Sequence, residues 1–176
     1  MDLAGVMTTH ARIYTEHGLT LIDTDARGNT TIVEQDDSGR SVKVTNSMGG
    51  VTTTSYDPAT GKPSLVMDAL GNTVCFSYDC RGRKIAEYGT GVQPALYAYD
   101  DADNVVSLTT FRAGEEAIVS DPTERTDGDT TTWRYDASTG LLLSKTYADG
   151  TSANYEYDSM NRLERIINPR SLAAIR

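Results

Sequence analysis

The stretch Gly71–Gly91, GNTVCFSYDCRGRKIAEYGTG, contains one complete structural unit of this chain. Gly71-Asn72 is a turn signal, and the alternating, β-rich run Thr73–Tyr78 predicts a strand. Asp79-Cys80-Arg81-Gly82 predicts a second turn, and Arg83–Tyr88 predicts a second strand before glycine returns. The stretch therefore predicts two antiparallel strands joined by a tight turn, which is a β-hairpin.

The Tyr-Asp dipeptide at the end of the first strand recurs along the chain. Its tyrosines are separated by 22, 21, 36 and 22 residues, and a fixed period of this kind is the signature of a repeat protein. A degenerate copy carries Gln35-Asp36 in the same place, which brings the number of units to six. We predict an all-β fold of tandem antiparallel hairpins that lie side by side in one extended, curved sheet. The recurring dipeptides are Tyr56-Asp57, Tyr78-Asp79, Tyr99-Asp100, Tyr135-Asp136 and Tyr157-Asp158.

The turns that follow these dipeptides share one local chemistry. Each aspartate is expected to accept a hydrogen bond from the backbone two residues on, and glycine or asparagine then supplies a positive φ. Because the aspartates recur at one structural position, we interpret them as turn caps rather than as metal ligands or acid–base groups. The shorter turns place Gly39, Gly82 and Asn161 three residues after the aspartate, followed by Arg40, Arg83 and Arg162. The longer turns place Gly61, Gly140 and Asn104 four residues after it, followed by Lys62, Leu141 and Val105.

The turns at the opposite end of the predicted sheet carry a different signal. They contain dipeptides that are strong signals of a hairpin turn. These dipeptides are Gly28-Asn29, Gly49-Gly50, Gly71-Asn72 and Asp149-Gly150.

A second aromatic residue lies two positions before most of the repeat tyrosines. Successive side chains of a strand alternate between faces, so the two rings of a pair share a face. We expect rings of neighbouring units to stack into a ladder across the sheet. The alternative is that these aromatic residues face a ligand such as a sugar. The residues concerned are Phe76, Tyr97, Trp133 and Tyr155.

Composition and charge exclude several function classes. The net charge of −9 opposes binding to the phosphate backbone of nucleic acids. No apolar run approaches the roughly 20 residues that span a bilayer, and the first residues show no export signal. Cys75 and Cys80 are separated by roughly 15 Å if the chain between them is extended, so we expect two unpaired thiols.

Motifs for catalysis or cofactor binding are missing from the sequence. Residues 100–104, DDADN, resemble half of a calcium loop, but they lack the glycine and the distal glutamate of such a loop. His10 and His17 have no spaced ligand partner for zinc, and there is no nucleophile elbow, phosphate loop or dinucleotide fingerprint. We therefore expect no enzyme activity, no metal and no cofactor.

The recurring pattern Gly-x-x-x-x-x-Tyr-Asp-x-x-Gly-Arg-Leu/Ile resembles the YD repeat of the Rhs family, which also occurs in toxin-complex shell components and in teneurins. Gly71–Ile85 and Gly150–Leu163 are the best copies, and the resemblance covers roughly residues 22–170. It implies hairpins that spiral into a hollow β-shell, which encloses a toxic polypeptide or acts at a cell surface. The parent proteins of the family are typically secreted or at the cell surface.

The resemblance implies a structural role for this chain in an Rhs-type shell or scaffold, as a piece of a larger protein or a truncated gene product. Its partners would be neighbouring repeats of the same or a parent chain, and an encapsulated polypeptide. The alternative is a module that binds carbohydrate or a cell surface through the tyrosine ladder.

The repeat pattern also defines boundaries within the chain. Residues 28–170 form the predicted repeat domain, which is preceded by residues 1–27 as a possible partial repeat and followed by residues 171–176 as a tail. The step of 36 residues locates an acidic insertion at about 112–128, interpreted as an extended surface loop or a partner contact. Stacked hairpins leave open edges, so we predict that the isolated chain is marginally stable or self-associates.

Overall fold

The protein is described by a computed structural model in which residues 8–16, 18–112 and 121–168 are placed. These residues form fourteen β-strands and one turn of 3₁₀ helix, Pro122–Glu124. The strands are β1 Thr9–Thr15, β2 Gly18–Thr24, β3 Thr30–Gln35, β4 Ser41–Thr45, β5 Val51–Tyr56, β6 Pro63–Met67, β7 Thr73–Tyr78, β8 Lys84–Tyr88, β9 Ala95–Tyr99, β10 Val105–Thr110, β11 Asp129–Tyr135, β12 Leu142–Thr146, β13 Ser152–Tyr157 and β14 Leu163–Ile167.

All fourteen strands belong to one sheet, and their order across the sheet is their order along the chain. Every neighbouring pair is antiparallel, as expected when each strand turns directly back beside its predecessor. The prediction of an all-β sheet of tandem hairpins is therefore confirmed. β1 and β2 continue the same sheet ahead of the first predicted unit. Within the described ranges, no helix has the length and apolar character needed to cross a membrane.

Each of the six repeat hairpins contains a bulge that the sequence analysis did not predict. In the third hairpin, Ser77 pairs with Ala86 and Tyr78 pairs with Lys84, so Ile85 is the extra residue. The same shift follows the same position in the other five hairpins. Because a bulge increases the local right-handed twist, the repeat adds the same twist at each step across the sheet.

The turns after the tyrosines have the two predicted lengths, with one correction. The residue in the left-handed conformation lies three positions after the aspartate at Gly39, Gly82 and Asn161, and four positions after it at Gly61 and Gly140. The assignment of the Tyr99 turn to the longer class was wrong. There Asp103, rather than Asn104, has a positive φ of 65°, and Asn104 closes the short turn by accepting the Asp100 N–H at its carbonyl.

The opposite turns lie at the predicted dipeptides and have loops of three residues. Asp25 donates its N–H to the carbonyl of Asn29 and accepts the N–H of Gly28, which leaves a three-residue loop ending in the left-handed Gly28. Asn46 and Asp68 begin turns of the same form. The short turn is therefore one structure, and it is used at both ends of the sheet.

Most of the buried side chains among the described residues lie next to the insertion, on and beside β8, β9 and β10. Within the insertion, residues 113–120 lie outside the described part of the chain. The 3₁₀ turn that begins at Pro122 packs against β8 and β9. Ala86, Phe111 and Pro122 are fully buried there, and the Arg125 guanidinium lies 4.5 Å from the centre of the Phe111 ring. The sheet is thus covered on one face at this point. The predicted 171–176 tail lies outside the described residues.

Candidate functional site: the tyrosine rim

The tyrosines of the Tyr-Asp dipeptides lie along one edge of the sheet, which we name the tyrosine rim. Four of the five hydroxyl groups donate a hydrogen bond to the backbone of the preceding hairpin. Tyr78 donates a hydrogen bond of 2.7 Å to the carbonyl of Pro63, the first residue of β6. The equivalent bonds, from 2.8 to 2.9 Å, are Tyr56 to Ser41, Tyr99 to Lys84 and Tyr157 to Leu142.

These hydrogen bonds are made where the backbone pairing between neighbouring hairpins ends. β6 and β7, for example, pair only from Leu65–Cys75 to Met67–Thr73, at the end of the strands away from the tyrosine rim. Tyr78 reaches across the unpaired ends of these two strands. The tyrosine therefore replaces the missing ladder bond and ties one hairpin to the next.

A cation from the preceding hairpin covers the ring of most of these tyrosines. Arg40 lies over Tyr56 at 4.5 Å from the ring centre, and Arg83 lies over Tyr99 at 4.8 Å. Lys62 lies over Tyr78 at 5.7 Å. Such contacts add attraction between the cation and the electron-rich ring face. Each cation is the last residue of its own turn, so the contact couples one turn to the next hairpin.

The arginines are held in place by the turn aspartates. Asp79 Oδ1 accepts the backbone N–H groups of Arg81 and Arg83, while its Oδ2 accepts Arg83 Nε at 2.7 Å. The backbone N–H of Arg83, and then its side chain, hold the pKa of Asp79 below its usual value. Arg83 Nη1 also reaches the carbonyl of Asp100 and the Asp103 carboxylate, both at 2.8 Å. One arginine therefore connects two successive turns.

The same arrangement recurs at Asp36. Its carboxylate accepts the backbone N–H of Ser38 and of Arg40, and it pairs with the Arg40 side chain. The hydrogen bond from the Arg40 side chain is the main cause that lowers the pKa of Asp36. The predicted hydrogen bond from the backbone two residues on is thus present in these turns.

Three repeat units depart from this arrangement of tyrosine, cation and backbone carbonyl. Gln35 replaces the tyrosine in the first unit, where it pairs with Ser41. Tyr157 keeps its hydrogen bond although its preceding turn ends in Leu141, which shows that the bond does not require the cation. Within the described ranges, the Tyr135 hydroxyl makes no hydrogen bond of this kind, and its preceding hairpin is the one followed by the insertion.

The aromatic residues predicted to form a stacked ladder alternate with lysines instead. Lys84 Nζ lies 5.9 Å from the Phe76 ring centre and 4.8 Å from that of Tyr97. Glu87 pairs with Lys84 and accepts the Tyr97 hydroxyl at 2.7 Å. Burial and then this hydrogen bond raise the pKa of Tyr97. The Phe76 and Tyr97 rings are therefore part of a polar cluster within the sheet.

The second pair of predicted ligand-facing residues lies in a similar setting. Lys145 Nζ lies 5.6 Å from the Trp133 ring centre and 4.7 Å from that of Tyr147. Tyr155 is half-buried opposite Ile166 of β14. The four aromatic residues are thus spread over β7, β9, β11 and β13 and do not meet around one cavity.

The acidic residues that resemble half of a calcium loop form hydrogen bonds and ion pairs at the turn. Asp100 Oδ1 accepts the backbone N–H groups of Ala102 and Asn104, and its Oδ2 accepts the Asn104 side chain. Asp103 pairs with Arg81 and Arg83. Among the placed residues, no three His, Cys, Asp or Glu side chains gather in a way that could hold a metal ion. Cys75 and Cys80 are free thiols.

The rim tyrosines, the turn aspartates and the basic residues that follow the turns were all predicted from the sequence, but the contacts between them were not. The signal was present, because Arg40, Lys62 and Arg83 each precede the next repeat tyrosine by 16 residues. These contacts have a structural effect, because they join neighbouring hairpins side by side into a continuous sheet.

Comparison with known proteins agrees with this architecture. A family model described as RHS Repeat matches residues 138–172, and no curated protein sequence matches the chain. The fold is similar to chains in three solved structures: TcdB2-TccC3-Cdc42 (16% identity, TM-score 0.59, covering 86% of this chain and 9% of that chain), TcdB2-TccC3 without its hypervariable C-terminal region (17%, 0.60, 82% and 8%) and the Tc holotoxin pore of Photorhabdus luminescens with a mutated TccC3 (18%, 0.60, 96% and 9%).

This chain therefore spans less than a tenth of the length of the solved chains that it resembles. Because the sequence identity is below one fifth, the similarity between these chains concerns the fold alone. Residues 138–172 thus match the RHS repeat model, and the sheet of tandem hairpins shares its fold with segments of the solved TcdB2-TccC3 chains.

Proposed function

We propose that this chain forms a segment of the wall of an Rhs-type shell, and that the shell encloses a polypeptide. The observation that carries the proposal is the single sheet of fourteen strands in unbroken chain order. A sheet of this kind separates two spaces and has no need of a second layer when the lateral joints are strong. The role is structural, and the recurring polar groups of the tyrosine rim serve the joints.

Two kinds of contact in the joints support this role. Tyrosine hydroxyls bind backbone carbonyls of the preceding hairpin at 2.7–2.9 Å. Arginines bridge successive turns through Asp79, Asp100 and Asp103. Free-standing sheets are stable when their hairpins support one another in series, as in other repeat proteins. The wall is therefore held together along its length.

The proposal is tested by asking whether the two faces of the sheet become inequivalent in the intact protein. Thr54 and Ser55 are neighbours on β5 whose side chains point to opposite faces. Thr54→Cys and Ser55→Cys are made separately in a background in which Cys75 and Cys80 are replaced by serine. The intact protein at its native length is then treated with a small maleimide and with a 5-kDa polyethylene-glycol maleimide, where the reagent size is on the order of a small domain.

We expect both variants to react with the small reagent and only one of them to react with the large reagent. Unfolding in urea should restore equal reaction, which controls for the intrinsic reactivity of the two thiols. Equal labelling by the large reagent before unfolding would show that both faces are open, and it would rule out a closed wall.

A further inference from the structure

Two connections at the opposite rim lie beside each other and depart from the short turns of that rim. Residues 89–94 join β8 to β9, and the insertion joins β10 to β11. The Phe111 N–H donates to the carbonyl of Pro94 at 3.2 Å, and Gln93 Nε2 donates to the carbonyl of Phe111 at 3.3 Å. We propose that residues 121–128, which we name the strap, are a latch that holds β8 and β9 together, and that release of the strap opens the sheet between these two strands.

The backbone pairing between β8 and β9 is the shortest of the pairings between the described repeat hairpins. These strands pair only at Ala86–Leu96 and Glu87–Ala95. The other pairings between repeat hairpins extend over three or four residues of each strand. Because local opening of a protein begins where few backbone bonds hold it closed, this joint is where the sheet separates most easily.

The strap crosses the sheet over this joint. Its 3₁₀ turn contacts β8 and β9, and Pro122 at the start of the turn is fully buried. Burial and then the Asp121 carboxylate raise the pKa of Cys75, so the strap begins near β7. At its other end, Gly128 lies against Thr109 of β10. The strap therefore extends from β7 to β10 and covers both sides of the joint.

Packing around Phe111 holds the strap on the sheet. The Phe111 ring is fully buried beneath Arg125, whose side chain is only 17% exposed and pairs with Asp127 at 2.7 Å. Gly128 closes the same contact. A Cβ at this position would overlap the Thr109 methyl group and lie 2.7 Å from a carbon of the Phe111 ring. An added methyl group would therefore force the strap away from the sheet.

The tyrosine rim supplies the hinge for this opening. There the Tyr99 hydroxyl donates to the carbonyl of Lys84 at 2.8 Å. Arg83 donates to the carbonyl of Asp100 and to the Asp103 carboxylate. These contacts lie at the other end of β8 and β9, so they persist when the strap is released. The two strands should therefore separate from the opposite rim inward, whether or not the sheet encloses a polypeptide.

The test uses the full chain and places a methyl group under the strap with Gly128→Ala. Hydrogen–deuterium exchange of the backbone amides, measured by mass spectrometry, shows which strands open. Thr126→Ala, at an exposed position of the same strap, is the matched control. Arg125→Gln is a milder release, because it removes the charge over Phe111 without adding bulk. Circular dichroism confirms that each variant keeps its β-sheet.

We expect Gly128→Ala to speed exchange in β8 and β9 about ten-fold, as overpacking of a tight contact favours local opening. Arg125→Gln should give a smaller increase in the same strands, and Thr126→Ala should give none. Exchange in β3–β5 and in β12–β13 should stay unchanged. Unchanged exchange in β8 and β9, or an equal increase in every strand, would overturn the latch. Arg125→Gln is judged by the same two criteria if Gly128→Ala loses its sheet.

The thiol of Cys75 gives a second measure of release, because it is half-buried near the strap. A small maleimide is added to chains in which Cys80 is replaced by serine. Labelling of Cys75 should be faster in Gly128→Ala than in Thr126→Ala, and urea should make the two rates equal. Equal rates before unfolding would mean that the strap does not cover this part of the sheet.

Discussion

The two rims of the sheet have the same turns but different functions. At both rims most of the turns begin with an Asp or Asn that caps the turn through its own side chain, as Asp68 and Asp79 show. The turn that begins at Tyr147 has the same backbone bonds without such a cap. At the tyrosine rim the turn also contacts the next hairpin, through Arg83 and the tyrosine. The aspartate of the repeat therefore specifies a local turn, whereas the tyrosine and the basic residue specify the joint between repeats.

This difference explains why the tyrosine is the residue that marks each repeat in the sequence. Asn46 replaces aspartate at one turn of the opposite rim and makes the same two hydrogen bonds to the backbone. The short turn therefore tolerates exchange between these two residues. Tyr56, Tyr78 and Tyr99 each combine a hydroxyl that reaches a carbonyl of the adjacent strand with a ring that lies beneath a cation, and tyrosine supplies both groups in one side chain.

Low pH should break the structure at both rims and have the largest effect. The pKa values of the corner aspartates are lowered by hydrogen bonds in the folded state, and that of Asp136 falls to about 2 because of Ser138 and Thr139. A lowered folded pKa gives stability that is present above about pH 4, the unfolded value, and is lost as the pH falls toward 2. The affected residues are Asp25, Asp36, Asp57, Asp68, Asp79, Asp100, Asp136 and Asp158.

Urea unfolding at pH values from 7 to 2 measures this effect. The free energy of unfolding should be nearly constant above pH 5 and fall steeply between pH 4 and 2. Asp136→Asn removes one titrating group, so its difference from the unmodified chain should shrink as the pH falls. A constant difference across this range would show that the Asp136 carboxylate contributes nothing through its charge.

Removal of a rim tyrosine should break one rim only. Tyr78→Ala deletes a half-buried ring, its contact with Lys62 and its bond to Pro63. We expect a loss of about 2–3 kcal/mol in the free energy of unfolding, below the range for fully buried aromatic residues. Tyr78→Phe keeps the ring and should cost about 1 kcal/mol, the contribution of one hydrogen bond.

Leu70→Ala provides the matched control at the opposite rim, where Leu70 is 88% exposed. Its free energy of unfolding should stay within about 0.5 kcal/mol of the unmodified chain. Urea midpoints of the three variants give the comparison. Equal losses for Tyr78→Ala and Leu70→Ala would contradict the assignment of the joint to the tyrosine rim.

The sequence predicted the elements of the fold well because the repeat is controlled locally. The strand Thr73–Tyr78 is found with the predicted bounds, and Gly39, Gly82 and Asn161 have positive φ as predicted. The prediction for the Tyr99 turn was wrong because Asp103 and Asn104 are both compatible with the left-handed conformation. The choice between them depends on the hydrogen bond from the Asn104 side chain to Asp100, which places Asn104 where arginine stands in other turns.

The joints could not be predicted from one unit because their partners belong to two. Tyr78 bonds to Pro63, a residue of the preceding hairpin, and this contact depends on strand register. The bulge at Ile85 also depends on register, since nothing in its local sequence distinguishes it from a paired residue. Local patterns therefore define the hairpin, and the alignment of successive repeats is needed to define the wall.

The smallest predicted effect separates the two rims most sharply. Asp68→Asn should change stability little, because Asn46 already forms the same turn at that rim. Asp79→Asn keeps the cap but removes the charge that pairs with Arg83, so the joint to Tyr99 is weakened. We expect the urea midpoint to fall more for Asp79→Asn than for Asp68→Asn, and the gap between them to narrow in high salt because salt screens the lost ion pair. Identical midpoints at low salt would mean that Asp79 is a turn cap alone, and that the Arg83 contacts to Asp100 and Asp103 are sufficient to hold the joint.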